Sequence, residues 1–301
     1  MIFQHKPHYC SSLHIISPRG GYAVFDFYAC EVVLGEEKLH YHFVVETGRI
    51  SVVFDTRGMV REPNEYYDFV VIPGFSTPEW AKGAVMYQIY VDRFYNGDPT
   101  NDVETREYMY LGDYSQKVDD WNKYPAAMGV REFYGGDLQG VLDKMDYLED
   151  LGIDVIYFNP IFVSPSNHKY DIQDYDYIDP HIGKIVEDEG ELLNDGQREN
   201  RYATKYINRV ANKKNLEASN ELFAKVVEEA HKRGIKVILD GVFNHTGRDF
   251  FAFKDIQKNR ENSPYKDWYC NVNFWGNTEY NDGFCYDNWG GYNLLAKLNQ
   301  H

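Results

Sequence analysis

The chain has 301 residues, 43% of them hydrophobic, and a formal net charge of −16. That length holds one large α/β domain or two to three smaller ones, and no stretch approaches the ~18 consecutive apolar residues of a membrane span. The acidic balance argues against nucleic acid and anionic membrane as partners and leaves a neutral or cationic ligand open.

The N-terminal MIFQHKPHYC has no basic region followed by an apolar run, so it does not read as a secretory signal. Cys10, Cys30, Cys270 and Cys285 show no CxxC spacing, which gives no support to a zinc site. Reduced thiols in a cytoplasmic protein are the expectation, although Cys270 and Cys285 could pair in an oxidising compartment.

Residues 1–78 read as an antiparallel β module. Tyr22 to Tyr28 and Leu39 to Val45 are rich in aromatic and β-branched residues. The second run passes through Thr47-Gly48 into Ile50 to Phe54, a hairpin pattern, and a further run covers Asp68 to Ile72. From residue 84 the texture changes. Ala84 to Val91 is an apolar run of buried-strand length. Leu138 to Leu151 carries apolar residues at helical spacing, with Asp137 as N-cap and Gly152 as stop. Ile153 to Phe158 follows as a strand. Ser219 is then placed to cap a helix closing at Arg233-Gly234, and Ile235 to Leu239 is the next strand. Alternating strands and helices with nearly continuous apolar strands predict a parallel α/β architecture.

The connections after the first two strands, about 45 and about 60 residues, lie at strand C-terminal ends, where such folds place their sites. Charged, Asn-rich residues 184–218 read as a solvated insertion, and 246–301 as a loop-like subdomain.

Three segments could carry chemistry. Asp240-Gly241-Val242-Phe243-Asn244-His245 follows a strand, and its side chains suit sugar hydroxyls as well as they suit a satisfied polar strand end. Ser166 to Asp171 could offer Tyr170 for stacking on a sugar ring and His168 and Asp171 for hydrogen bonds, or be a turn-rich loop. Asp92 to Asp102 gathers hard oxygens of the kind that surround Ca²⁺, yet Asn-Gly and Asp-Pro are also plain turn signals.

Taken together, VMYQIYVDRFYNGDPTND, FYGGDLQGVLDKMDYLEDLGIDVIYFNPIF, SNHKYDIQDYDYIDPHIG and GIKVILDGVFNHTG, in that order, resemble the α-amylase family over roughly residues 78–299. Within it they are most similar to the neopullulanase, cyclomaltodextrinase and maltogenic amylase group. The resemblance implies the N-terminal part of a (β/α)₈ TIM barrel, with about three strands in 79–245. It also implies a partial domain B in 246–301 and a small, incomplete β-sandwich-like starch-binding-type domain in 1–78, which mediates dimers in relatives. By family position, His245 and Tyr170 would line the cleaved sugar's subsite, Asp240 and Asn244 would support the catalytic centre, and His168 and Asp171 would join the substrate wall. Asn96, Asp98, Asn101, Asp102, the Gly135 carbonyl and Asp137 match a structural Ca²⁺ site of that group, with Asp137 dividing its two oxygens between helix cap and cation.

The implied activity is hydrolysis of α-1,4 glucosidic bonds, with α-1,6 bonds open as well, in cyclodextrins, pullulan or maltooligosaccharides. The family's nucleophile and acid/base would lie beyond His301, so the chain alone is expected to be inactive. A non-catalytic α-glucan-binding protein is the alternative. An unrelated open-sheet α/β protein ranks last, since no GxGxxG follows any strand.

Overall fold

A computed structural model describes residues 32–300, in two compact units that divide after Lys82. Tyr22 to Tyr28, Cys10 and Cys30 lie outside the described residues.

In the first unit, the expected Leu39 to Val45 strand is two strands separated at His42. Leu39–Tyr41 pairs with Phe69–Val71, and Phe43–Thr47 pairs with Ile50–Asp55. At the break, the buried His42 Nδ1 lies 2.9 Å from an Asp68 carboxylate oxygen. Thr47 faces Ile50, leaving Gly48-Arg49 as a two-residue turn with Gly48 at φ 58°. That left-handed conformation carries no Cβ penalty in glycine, so the hairpin forms where the sequence places it.

The second unit is built on a parallel sheet in the order Lys236–Leu239, Val155–Phe158, Met86–Ile89. Val155, Ile156 and Phe158 of the central strand are wholly buried. The side chains alternate across the sheet, so Ile156 and Phe158 face the helices while Tyr157 faces the other way. Leu138, Val141, Met145 and Leu148 pack on that helix-covered face with Leu222 and Val226 of the Lys213–Lys232 helix. Each such side chain contributes roughly 1.5–3 kcal/mol when fully buried. Among the described residues, the two outer strands each pair on one side only.

Three expectations change here. The Leu138 to Leu151 helix is broken into Leu138–Asp143 and Met145–Asp150 at Lys144, whose backbone (φ −106°, ψ 10°) leaves the helical region. Lys144 N–H is shared between the Gly140 and Val141 carbonyls, and its ammonium sits 4.1 Å from the Tyr95 ring centroid. Ser219 is not a cap. The helix starts at Lys213, capped by the Asn212 side chain, and the buried Ser219 hydroxyl donates to the Asn215 carbonyl one turn back. Residues 184–218 are not a solvated loop, since Ile185, Leu193, Ala203, Tyr206, Arg209 and Leu216 are all buried.

Residues 246–301 also hold more order than expected. The Phe251–Asn259 helix buries Phe253 and Ile256 against Phe284 and Tyr286. Beside it, Tyr292–Lys297 pairs with both His245–Thr246 and Asn288–Trp289. Cys270 and Cys285 are free thiols. No helix of the described residues is long and apolar enough to cross a membrane.

Candidate active-site wall and cation loop

The register of the parallel sheet sets the site. Phe158 faces Ile89 on one side and Leu239 on the other, so Tyr90, Asn159 and Asp240 leave the sheet side by side at its carboxyl edge. Asn159 Oδ1 accepts from Gln88 Nε2 at 2.6 Å. Asp240 accepts three hydrogen bonds, from Val242 N at 3.1 Å and from the Tyr157 and Tyr170 hydroxyls at 3.0 and 3.1 Å. Tyr170 is half-buried, and burial with Asp240 beside it pushes its phenol up to about 12. The phenol therefore stays protonated and donates.

His168 Nδ1 accepts from Tyr170 N–H at 3.1 Å, so the neutral ring carries its proton on Nε2. Burial lowers its pKa and favours that neutral form. Among the described residues no hydrogen bond engages Nε2, which makes it a donor suited to a sugar oxygen. Val242, a β-branched residue at φ 46°, turns the chain after Asp240 in a conformation that L-residues rarely adopt. Such strain gathers at functional sites.

Two sequence expectations need correction. Asp171 is not on the open wall. It is fully buried and accepts hydrogen bonds from the Tyr110, Ser164 and Ser166 hydroxyls, so it holds the loop from beneath. His245 is also buried and has no nitrogen free for sugar. Nε2 donates to the Tyr170 carbonyl at 3.0 Å, and Nδ1 accepts from the Asn244 amide. Tyr157, bonded to Asp240, and the half-exposed Trp289, whose ring centroid lies 5.4 Å from that of His245, stand beside the candidate site and were given no site role by the sequence reading. Tyr157 was signalled by strand alternation; Trp289 had no local signal.

The Asn96 to Asp102 loop folds against Gly135 and Asp137. The Asp137 carboxylate accepts from the backbone N–H groups of Gly97, Asp98 and Gly140 and from the Asn101 amide. Four donors occupy its roughly four lone-pair sites. Asp137 thus caps the helix and fastens the loop with both of its oxygens. Asp98 accepts from Thr100 and Lys184, and Asp102 from Asn96 and Lys117. The side-chain oxygens of Asn96 and Asn101 are buried without any donor. A Cβ on Gly135 would come within 2.4 Å of Asp102 Oδ1, so the Gly135 backbone lies directly against this cluster. Orphaned carbonyl oxygens beside a carboxylate suit a hard cation in chemical type. Among the described residues, no group of three or more His, Cys, Asp or Glu forms a metal cluster, so amide and backbone oxygens would supply most ligands.

The family model described as "Alpha amylase, catalytic domain" matches residues 88–202 and 195–293. The chain belongs to the α-amylase catalytic-domain family. Within that family it is 43% identical over 195 residues to neopullulanase 2 of Thermoactinomyces vulgaris, covering 65% of this chain and 25% of the relative. It is 36% identical over 260 residues to a cyclomaltodextrinase of Thermoanaerobacter pseudethanolicus, covering 84% of this chain and 36% of the relative. A solved cyclomaltodextrinase structure superposes with a TM-score of 0.56 at 31% identity, covering 90% of this chain and 39% of that one. The chain thus spans about a quarter to two fifths of the length of these relatives.

Beneath the wall of this α-amylase-family chain runs a row of buried ionic side chains. Lys169 Nζ lies 2.7 Å from Asp179 Oδ2, and Asp179 Oδ1 lies 2.9 Å from His181 Nδ1. His181 Nε2 meets Glu107 at 2.6 Å, and Glu107 meets Arg209 at 2.8 Å. Both His181 nitrogens face carboxylate oxygens, so both carry protons. Burial would lower the His181 pKa, but Glu107 and Asp179 outweigh it and hold the ring above its ordinary value. The other groups near it are the Tyr206 ring, stacked at 6.0 Å, and the cations Lys169 and Arg209 at either end of the row. A folded pKa raised above the unfolded ~6.5 gives stability that is complete below that value and lost as pH rises through the folded one. The melting temperature is expected to fall as pH rises above about 6.5, and His181→Gln to remove most of that slope. An unchanged slope in the variant would show that His181 is not the titrating group.

Proposed function

We propose that this chain forms the sugar-binding wall of an α-glucan hydrolase that acts on α-1,4 and α-1,6 glucosidic bonds of cyclodextrins, pullulan or maltooligosaccharides. In this reading its three parallel strands open a (β/α)₈ barrel. The family supports the substrate class, and one observation carries the wall: Tyr170, fixed by Asp240 through its hydroxyl, stands beside the neutral His168 at the carboxyl edge of the sheet. A half-buried phenol ring held at its tip presents a face for stacking on a pyranose. His245 and Asn244 hold the Tyr170 backbone, and Asp171 holds the loop beneath. Asp240 on the wall and Asp171 beneath it are engaged by phenol, hydroxyl or backbone donors. Neither is placed as the nucleophile of a retaining pair, whose carboxyls stand about 5 Å apart.

Titration of the 301-residue chain with maltooligosaccharides is expected to give saturable binding that Tyr170→Ala weakens at least about tenfold, ~1.4 kcal/mol. Equal affinity in the variant would remove the wall from this reading. Turnover of cyclodextrin by the purified chain would show that the engaged carboxylates have been misjudged.

A structural Ca²⁺ is proposed at the Asn96 to Asp102 loop. The orphaned Asn96 and Asn101 oxygens support it, with Asp102, Asp98 and the Gly135 carbonyl as further oxygens. Bound there, the ion would supply charge neutralisation and loop rigidity. Calcium at millimolar concentration is expected to raise the melting temperature by about 3–8 °C over chelator-treated protein, by linkage. Asn101→Ala should abolish the rise, and the same rise in that variant would place the cation elsewhere. A cytoplasmic setting accords with two free thiols and with the word "intracellular" in the name of one relative, a maltogenic amylase of Bacillus subtilis.

A further inference from the structure

We infer that the inserted segment, residues 184–211, positions the sugar-facing Tyr170 through the buried row of ion pairs, with Lys169 as the residue that sets the ring and Arg209 as the far anchor. The inference rests on the reading of Tyr170 as a wall residue.

Lys169 is the residue immediately before Tyr170. It is 3% exposed and adopts φ 62°, a left-handed conformation that side chains with a Cβ rarely take. Such a conformation persists when the surroundings over-determine it. Here the Lys169 ammonium donates to Asp179 at 2.7 Å and to the Ser164 carbonyl at 2.9 Å, while its N–H donates to the Ser166 hydroxyl at 3.0 Å. Both ends of the residue are pinned, so the direction in which Tyr170 leaves the backbone is fixed as well.

The pin depends on charge carried along the row. Arg209, His181 and Lys169 alternate with Glu107 and Asp179, so each buried anion lies between two cations. Arg209 is 2% exposed and belongs to the Thr204–Ala211 helix. Its guanidinium reaches Glu107, the Asp102 carbonyl at 2.9 Å and Asp188 at 2.7 Å, tying the inserted helix to the loop after the first strand. Without Arg209, the wholly buried Glu107 keeps His181 as its remaining cation. His181 is then drawn from Asp179, which loses one of the two partners that fix its carboxylate and is free to shift, carrying the Lys169 ammonium with it. An insertion serving only to add bulk would need apolar contacts and no fork-shaped cation at the end of an ionic row.

The test uses the full 301-residue chain with isotope-labelled tyrosine. Tyr170 ring resonances, assigned by their loss in Tyr170→Phe, are followed in Arg209→Met, Arg209→Lys and Lys169→Met, alongside maltooligosaccharide affinity and the melting temperature. Arg209→Met and Lys169→Met are expected to shift or broaden the Tyr170 ring signal and weaken binding about threefold or more. Arg209→Lys should recover part of both. A lower melting temperature with unchanged ring signal and unchanged affinity would overturn the inference and leave the row a purely structural one. Should Arg209→Met fail to fold, Arg209→Met/Glu107→Gln removes one cation and one anion together and is read by the same criteria. The ring signal needs no sugar. If the unaltered chain binds no glucan yet Arg209→Met moves the Tyr170 ring, the functional reading falls and the positioning stands.

Discussion

Replacing Asp179 with alanine is expected to cost about 3–5 kcal/mol of folding stability, the range for removing one partner of a buried ion pair. Asp179 is wholly buried and accepts from Lys169 Nζ, His181 Nδ1, His181 N and Ser164 N. Burial alone would raise its pKa, but Lys169 and His181 outweigh that and hold the carboxyl below the usual carboxylate range. The alanine variant leaves two buried cations and two backbone donors without their acceptor. Asp179→Asn keeps one acceptor oxygen and the shape, so it should cost less than alanine while still losing the charge. Urea unfolding at pH 6 separates the two, since His181 is charged there in the wild type. A loss below about 1 kcal/mol for Asp179→Ala would mean that water or a neutral lysine repairs the site, and that the row contributes little.

That row also shows where sequence reading stops. Local signals carried well: apolar runs marked the three parallel strands, Gly48 marked the hairpin, and Asp137 marked a helix start. Each depends on chemistry within a few residues. The segment 184–218 failed because its charge implies solvent unless the partners are known, and Glu107 lies 102 residues before Arg209. Asp171 and His245 were recognised as polar and well placed, yet their partners were invisible, so engaged groups read as free ones. The Phe251–Asn259 helix lacks a side-chain cap and follows Phe250, which removed the usual start signal. Lys144 interrupts a regular apolar stripe because its ammonium finds the Tyr95 ring, a contact between distant segments.

Gly140→Ala sets local and tertiary physics against each other. Helix propensity favours alanine over glycine by about 1 kcal/mol within a helix, so on local grounds the variant would be more stable. Packing predicts the reverse. A Cβ at Gly140 would lie 1.9 Å from the Tyr95 carbonyl oxygen and 2.6 Å from its carbon, both backbone atoms. A flexible side chain could swing aside, whereas the Tyr95 carbonyl is held by the N–H of Asp137 at 3.1 Å. Across the same contact, a Cβ at Gly97 would lie 2.4 Å from Gly140 N, so helix and loop meet backbone to backbone. Moving the loop also strains the Gly97 and Asp98 N–H bonds to Asp137 and displaces the orphaned Asn96 oxygen. A net loss of about 2 kcal/mol or more is expected, toward the upper part of the overpacking range once the propensity gain is offset. Gln139→Ala, one residue earlier on the same helix, should be close to neutral in the same denaturant titration. If Gly140→Ala instead raises stability, the helix and loop do not meet backbone to backbone. If it lowers stability but keeps the full calcium-dependent rise in melting temperature, the cation is not held by the Asn96 to Asp102 loop.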